Sequence, residues 1–135
     1  ILVDSLSHFE KLTDDPVELR SIQYSFINAL KREGLTAVLT KESEAILGQS
    51  DTEEDIAFVV DSYTLLRYVE IESSIRKALV VLKMRGSDHA KDIRQFQIAS
   101  TGIEVQSPFE GQEGIMSGSP RRSMAESFVD AFIRR

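Results

Sequence analysis

The sequence has no cysteine, so neither a disulfide nor a thiolate metal site can form. It has no long apolar run: the longest falls far short of the roughly 20 residues a helix needs to cross a bilayer. No secretory leader is visible, because the apolar opening Ile1-Leu2-Val3 is broken by Asp4. A basic excess is missing too. With a net charge of -6, the chain lacks the positive stripe expected of a general nucleic-acid coat. No internal repeat occurs along its 135 residues, a length that supports one domain with a core rather than two. These absences fit a cytoplasmic protein. The first residue is Ile and the opening already reads as mid-strand, so the expectation is a piece of a longer polypeptide.

What is present reads as an α/β chain. Ile1 to Ser7 predicts a short buried parallel strand with Asp4 at its carboxyl end, where open α/β sheets place their ligands. An acid there can hold a metal ion through water, or serve as an ordinary turn residue. Asp15 as cap, Pro16 at the first helical position and Glu18 three residues after the cap predict a helix over 16–33. Leu19, Ile22, Phe26, Ile27 and Leu30 form its apolar stripe, and Gly34 ends it. Leu35 to Thr40 then completes a strand-helix-strand unit, expected to be parallel.

Lys41 to Asp55 is polar and predicts a loop with a helical turn at Glu42 to Leu47. Its acids Asp51, Glu53, Glu54 and Asp55 lack calcium-loop spacing and read as a solvated surface. Tyr63 to Ile71 and Arg76 to Arg85 predict antiparallel strands around Glu72-Ser73-Ser74. Gln95 to Ala99 and Ile103 to Val105 form a second such pair. Ser107 to Arg122, rich in Gly, Ser, Pro and Glu, is expected to run over the surface. Ser123 to Arg135 predicts a last helix with Met124, Phe128, Ala131 and Phe132 on one face. The division expected is 1–106 for the main body and 107–135 for a carboxyl-terminal extension.

Charge of one sign collects in one place. Lys83, Arg85, His89 and Lys91 fall within nine residues of an otherwise acidic chain. If the strand is regular, Lys77, Leu79, Val81, Lys83 and Arg85 share one face. Lys83 and Arg85 would then lie roughly 7 Å apart, close enough to share one anion, with Lys77 about 20 Å from Lys83. Solvated strand-end charges are the other reading of the same residues.

Three stretches in order carry a family resemblance. Ile1-Leu2-Val3-Asp4-Ser5-Leu6-Ser7 resembles the Walker B strand of RecA-type P-loop ATPases. Leu65-Leu66-Arg67-Tyr68-Val69-Glu70-Ile71, with Lys83-Met84-Arg85-Gly86-Ser87-x-His89-x-Lys91-x-Ile93-Arg94-x-Phe96, is similar to the KaiC-like branch of that superfamily. Ile115-x-Ser117-Gly118-Ser119-Pro120 resembles the segment that closes the second ATPase domain in that branch.

The resemblance implies a RecA-like core fragment and a homo-hexameric ring with ATP and Mg2+ at each interface. It implies that Lys83 and Arg85 reach the γ-phosphate held by the neighbouring subunit. Met84, Ser87, His89 and Lys91 would line the same nucleotide, and Lys77 stands where the family has an arginine contact. Asp4 would be the Walker B acid facing Mg2+. The implied activity is ATP hydrolysis serving signalling or regulation. Apart from the resemblance, the basic tail residues Arg121, Arg122, Arg134 and Arg135 read as contacts to partner subunits or to solvent, with the tail a surface for protein partners.

The departures matter as much. No Gly-x-x-x-x-Gly-Lys-Ser/Thr occurs, so the phosphate loop and the catalytic glutamates, upstream of Walker B in the family, are missing from these residues. The 135 residues alone are therefore expected to be inactive. The family's phosphorylated Ser-Thr pair aligns with Ala57 and Phe58, which have no hydroxyl; Thr52, just upstream, is the nearest acceptor. Two further readings stand beside the ATPase: a non-hydrolysing assembly module, and a DNA recombinase or helicase relative, which the acidic charge disfavours. Without the first half of a RecA-like core, apolar surface is expected to lie bare and drive self-association.

Overall fold

The computed structural model describes residues 1–42, 54–110, 112–115 and 121–122. The helix expected over 123–135, the turn expected from Glu42 to Leu47, and Asp51, Thr52 and Glu53 lie outside the described residues, Glu42 itself excepted. The chain divides into two compact units. One comprises residues 1–44 and 50–61, the other 45–49 and 62–135.

The first unit holds the strand-helix-strand expected. β1 (Leu2–Val3) pairs in parallel with β2 (Val38–Leu39), Leu2 opposite Val38 and Val3 opposite Leu39. Between them runs α1 (Pro16–Arg32). Its start follows from local chemistry. The Asp15 carboxylate accepts the Val17 N–H at 2.9 Å, and Pro16 occupies a first-turn position where no N–H is needed. Glu18 does not reach back to the cap as a capping box would require. It accepts instead from the Thr13 hydroxyl at 2.6 Å, and that hydroxyl accepts the Asp15 N–H at 3.2 Å. The end is a Schellman motif: Leu35 N–H donates to the Leu30 carbonyl and Gly34 N–H to that of Lys31. Gly34 there has φ of 67°, a conformation that side chains with a Cβ resist.

The stripe predicted for α1 points inward, with Ile27 buried and the Phe26 ring 5.2 Å from that of Phe9, tilted by 48°, in a 3-10 turn, Leu6–Lys11. That turn was not expected from the sequence, which reads Leu6 and Ser7 as strand. The buried-strand expectation also needs correction, since Leu2 is 71% and Val38 60% exposed. Among the described residues two strands pair in this sheet, too narrow a surface to bury either of them.

Gln23 occupies the same inward stripe, 4% exposed, and its Nε2 finds no hydrogen-bond partner among the described residues. A buried amide donor without a partner costs about 1–3 kcal/mol. Gln23→Met keeps helix propensity and similar length, and is expected to raise stability by about 1 kcal/mol. A urea unfolding midpoint shifted upward, at unchanged slope, is the result that checks it.

α2 (Glu54–Ala57) closes the first unit, and Lys31 pairs with Asp61 at 2.8 Å. The second unit begins with the antiparallel meander predicted: β3 (Ser62–Ile71), β4 (Ser74–Met84), β5 (Arg94–Ala99) and β6 (Gly102–Pro108), adjacent in that order. Glu72 and Ser73, at φ of 50° and 59°, make a two-residue hairpin turn whose twist matches the flanking strands. The β5–β6 turn is Ser100-Thr101, followed by Gly102 at φ of 122°.

Val69, Ile71 and Ala78 on one face of the meander pack with Ile115, and Ile93 and Phe109 lie against them. Ile115, 3% exposed, corrects the expectation that 107–122 runs only over the surface. The short strands β7 (Gln112–Glu113) and β8 (Arg121–Arg122) pair antiparallel on either side of it in sequence. On the opposite face, the register aligns Leu66, Tyr68, Ile98 and Ile103 with the central Phe96; the first four are exposed and Phe96 is buried.

Candidate functional site

β4 outruns its neighbour. Its last pair with β5 is Leu79 with Arg94, whereas its pairing with β3 continues to Met84. The five residues beyond Leu79 form, with the start of β3, a two-stranded ribbon extending roughly 16 Å past β5 at about 3.3 Å per residue. The cationic run begins at the tip of that ribbon. Lys83 is paired with Tyr63 and half-buried, Met84 pairs with Ser62 and is 39% exposed, and Arg85 lies in the turn that follows. Gly86 takes φ of 77°, which lets the chain reverse directly after Arg85. Ser87 and Lys91 are exposed and His89 is half-buried. The Asp88 carboxylate accepts the His89 N–H at 2.9 Å, and Asp92 pairs with Arg94 at 3.5 Å, where β5 starts. One connection therefore gathers Lys83, Met84, Arg85, Ser87, His89 and Lys91.

Lys77 is not part of that gathering. The one-face reading of β4 assumed a regular strand, and the strand is not regular. Tyr63 pairs with Lys83 but Thr64 pairs with Val81, so Leu82 is an extra residue, a β-bulge. Adjacent residues of β3 point to opposite sides of the sheet, and their partners do likewise. Lys83 therefore lies on the face of Ala78 and Val80, while Lys77, Leu79 and Val81 lie on the other. Lys77 sits there between Tyr68 and Phe96 in the ladder.

Asp4 belongs to the first unit and stands one residue past β1, in exposed surface. Its Oδ1 accepts the Thr40 hydroxyl at 2.5 Å. Ser7 lies nearby in sequence and its Oγ accepts the Glu42 N–H at 3.2 Å. Among the described residues no three His, Asp or Glu side chains gather as a metal cluster. One carboxylate with one hydroxyl bonded to it is too few protein donors to enclose a divalent cation by themselves. The Thr40 bond to Asp4 is a contact that the sequence alone does not reveal. A partial signal exists: Val3-Asp4 and Leu39-Thr40 both turn polar at the end of an apolar run, and parallel pairing sets them side by side.

No helix among the described residues is long and apolar enough to cross a membrane. The family model for the KaiC ATPase matches residues 1–110. The circadian clock protein KaiC3 of Synechocystis sp. is 36% identical over 121 residues, covering 89% of this chain and 24% of its own. The circadian clock oscillator protein KaiC of Parathermosynechococcus lividus is 43% identical over 93 residues, 68% of this chain and 17% of its own. That of Synechococcus elongatus is 36% identical over 123 residues, 90% and 24%. The chain thus spans about a quarter or less of the length of these curated relatives. A parallel strand-helix-strand whose first strand leads into Asp4, an antiparallel meander carrying the Lys-x-Arg turn, and a family match across both place this chain in the KaiC ATPase family.

Proposed function

We propose that this chain carries the Walker B strand and the stretch after it in a Mg2+-dependent ATPase that works as a ring, each nucleotide lying between two subunits. Asp4 serves the nucleotide of its own subunit, and Lys83 and Arg85 serve that of the neighbour. The observation that carries the reading is the Lys83–Lys91 connection, set at the tip of an overhanging ribbon in a chain of an ATPase family. A cation pair at a projecting turn can enter another subunit's site without disturbing its own core.

Phosphoryl transfer asks the protein mainly for positioning and charge stabilisation. Arg85, planar and always charged, offers two donors at once to phosphate oxygens; Lys83 offers a point charge beside it. Ser87, His89 and Lys91 add donors along the same connection, and Met84 an apolar contact. Asp4 would hold magnesium, and the ion would supply positive charge to offset that of the phosphates. The relatives bear the names of circadian clock proteins, so the hydrolysis serves regulation in this reading. Ala57 and Phe58 carry no hydroxyl, so phosphate transfer onto those two side chains has no acceptor.

The test is ATP hydrolysis by the full-length protein, with its mass measured with and without nucleotide. Hydrolysis that stops in EDTA, together with a ring of about six subunits, is expected. A protein that binds no ATP at any magnesium concentration contradicts the reading and favours a non-hydrolysing assembly module.

A further inference from the structure

Thr40 bonds to the segment from Val3 to Leu6 through its N–H, its carbonyl and its hydroxyl. Its N–H donates to the Val3 carbonyl at 3.0 Å, its own carbonyl accepts the Leu6 N–H at 2.8 Å, and its hydroxyl meets Asp4 Oδ1 at 2.5 Å. The two backbone bonds bracket Asp4 in sequence, so they fix the Thr40 backbone beside that of Asp4, and from there the hydroxyl, also 3.5 Å from the Val3 carbonyl, reaches the acid. A hydroxyl-to-carboxylate bond of this length is in the charge-assisted range. It takes up one lone pair of Oδ1 and selects one rotamer of a side chain that is otherwise exposed.

We infer that Thr40 is a positioning residue for magnesium: it holds the Asp4 carboxylate in the orientation that receives the cation's water. The inference rests on the reading of Asp4 as the magnesium acid. Thr40 touches neither cation nor phosphate in this assignment and acts only through Asp4. An alternative is a strand-end clip that matters for stability alone. The two differ in what a hydroxyl deletion changes, because the backbone bonds of Thr40 survive any substitution except proline.

Thr40→Val keeps the β-branched shape and removes the donor; Thr40→Ser keeps the donor. Both are made in the full-length protein, with Asp4→Asn as the control. ATP affinity is read by calorimetry across a magnesium series and in EDTA, beside a urea midpoint without nucleotide. Outer-shell partners of a metal ligand are worth about 10–100-fold in metal affinity, so Thr40→Val is expected to raise the magnesium half-saturation at least about tenfold. Thr40→Ser is expected to stay close to wild type, and affinity in EDTA to be the same for all. A Thr40→Val protein with a lowered urea midpoint and unchanged magnesium dependence overturns the inference. If Asp4→Asn also leaves the magnesium dependence unchanged, the reading of Asp4 itself falls; if it shifts and Thr40→Val does not, only the role of Thr40 falls. Should Thr40→Val fail to fold, Thr40→Ala gives the same comparison.

Discussion

Replacing Arg85 with alanine in the full-length protein is expected to slow ATP hydrolysis by about a thousandfold or more, with folding unchanged. Arginines delivered to a transferring phosphoryl group contribute roughly three to five orders of magnitude in turnover. Folding is spared because Arg85 lies in the turn after Met84, exposed and outside the apolar cluster of its unit. Arg85→Lys restores a charge but not the planar fork, so it is expected to recover only part of the loss. Lys77→Ala supplies the internal comparison: the bulge at Leu82 sends Lys77 to the opposite face from Lys83, and its effect is expected to be much the smaller. Steady-state turnover at saturating ATP, with the far-ultraviolet circular dichroism of each variant, reads these outcomes. Equal losses for Arg85→Ala and Lys77→Ala contradict the assignment.

The largest effect on stability is expected from Ile115→Ala. Ile115 is 3% exposed and fills the space over Val69, Ile71 and Ala78, so truncation leaves a cavity in the main cluster of the meander. Large-to-small changes at such sites cost about 2–5 kcal/mol, the transfer free energy of the deleted methylenes plus the cavity they leave. Ile103→Ala removes the same atoms from a side chain that is 64% exposed, and is expected to cost within about 0.5 kcal/mol of nothing. Denaturant titration of the two variants beside the parent decides it. Similar midpoints for both place Ile115 outside the cooperative core.

Those two isoleucines also mark what was legible in the sequence. α1 could be read residue by residue, because its cap, first-turn proline, apolar spacing and terminal glycine are all local signals. The hairpins were legible for the same reason: two polar residues between strand-like runs leave few geometries. Ile115 was not, since one apolar residue in a Gly- and Ser-rich stretch has no period to reveal which way it points. The bulge at Leu82 was hidden too. It is fixed by how Tyr63 and Thr64 pair with β4, a property of two strands together. The cationic run of the site stood out by composition alone, whereas the bond from Thr40 to Asp4 joins residues 36 apart and needed the parallel register. Gln23 defeated the rule that polar residues leave the stripe.

The central claim, that one subunit supplies Asp4 and the next supplies Arg85, is tested most directly by mixing two inactive variants. Asp4→Asn and Arg85→Ala subunits of the full-length protein are combined, assembled with nucleotide, and shown by two different tags to share rings. In randomly mixed rings roughly one interface in four pairs an intact Asp4 with an intact Arg85 from the neighbour, so activity is expected to return to roughly a quarter of wild type. Mixed rings that stay as inactive as either variant alone contradict it.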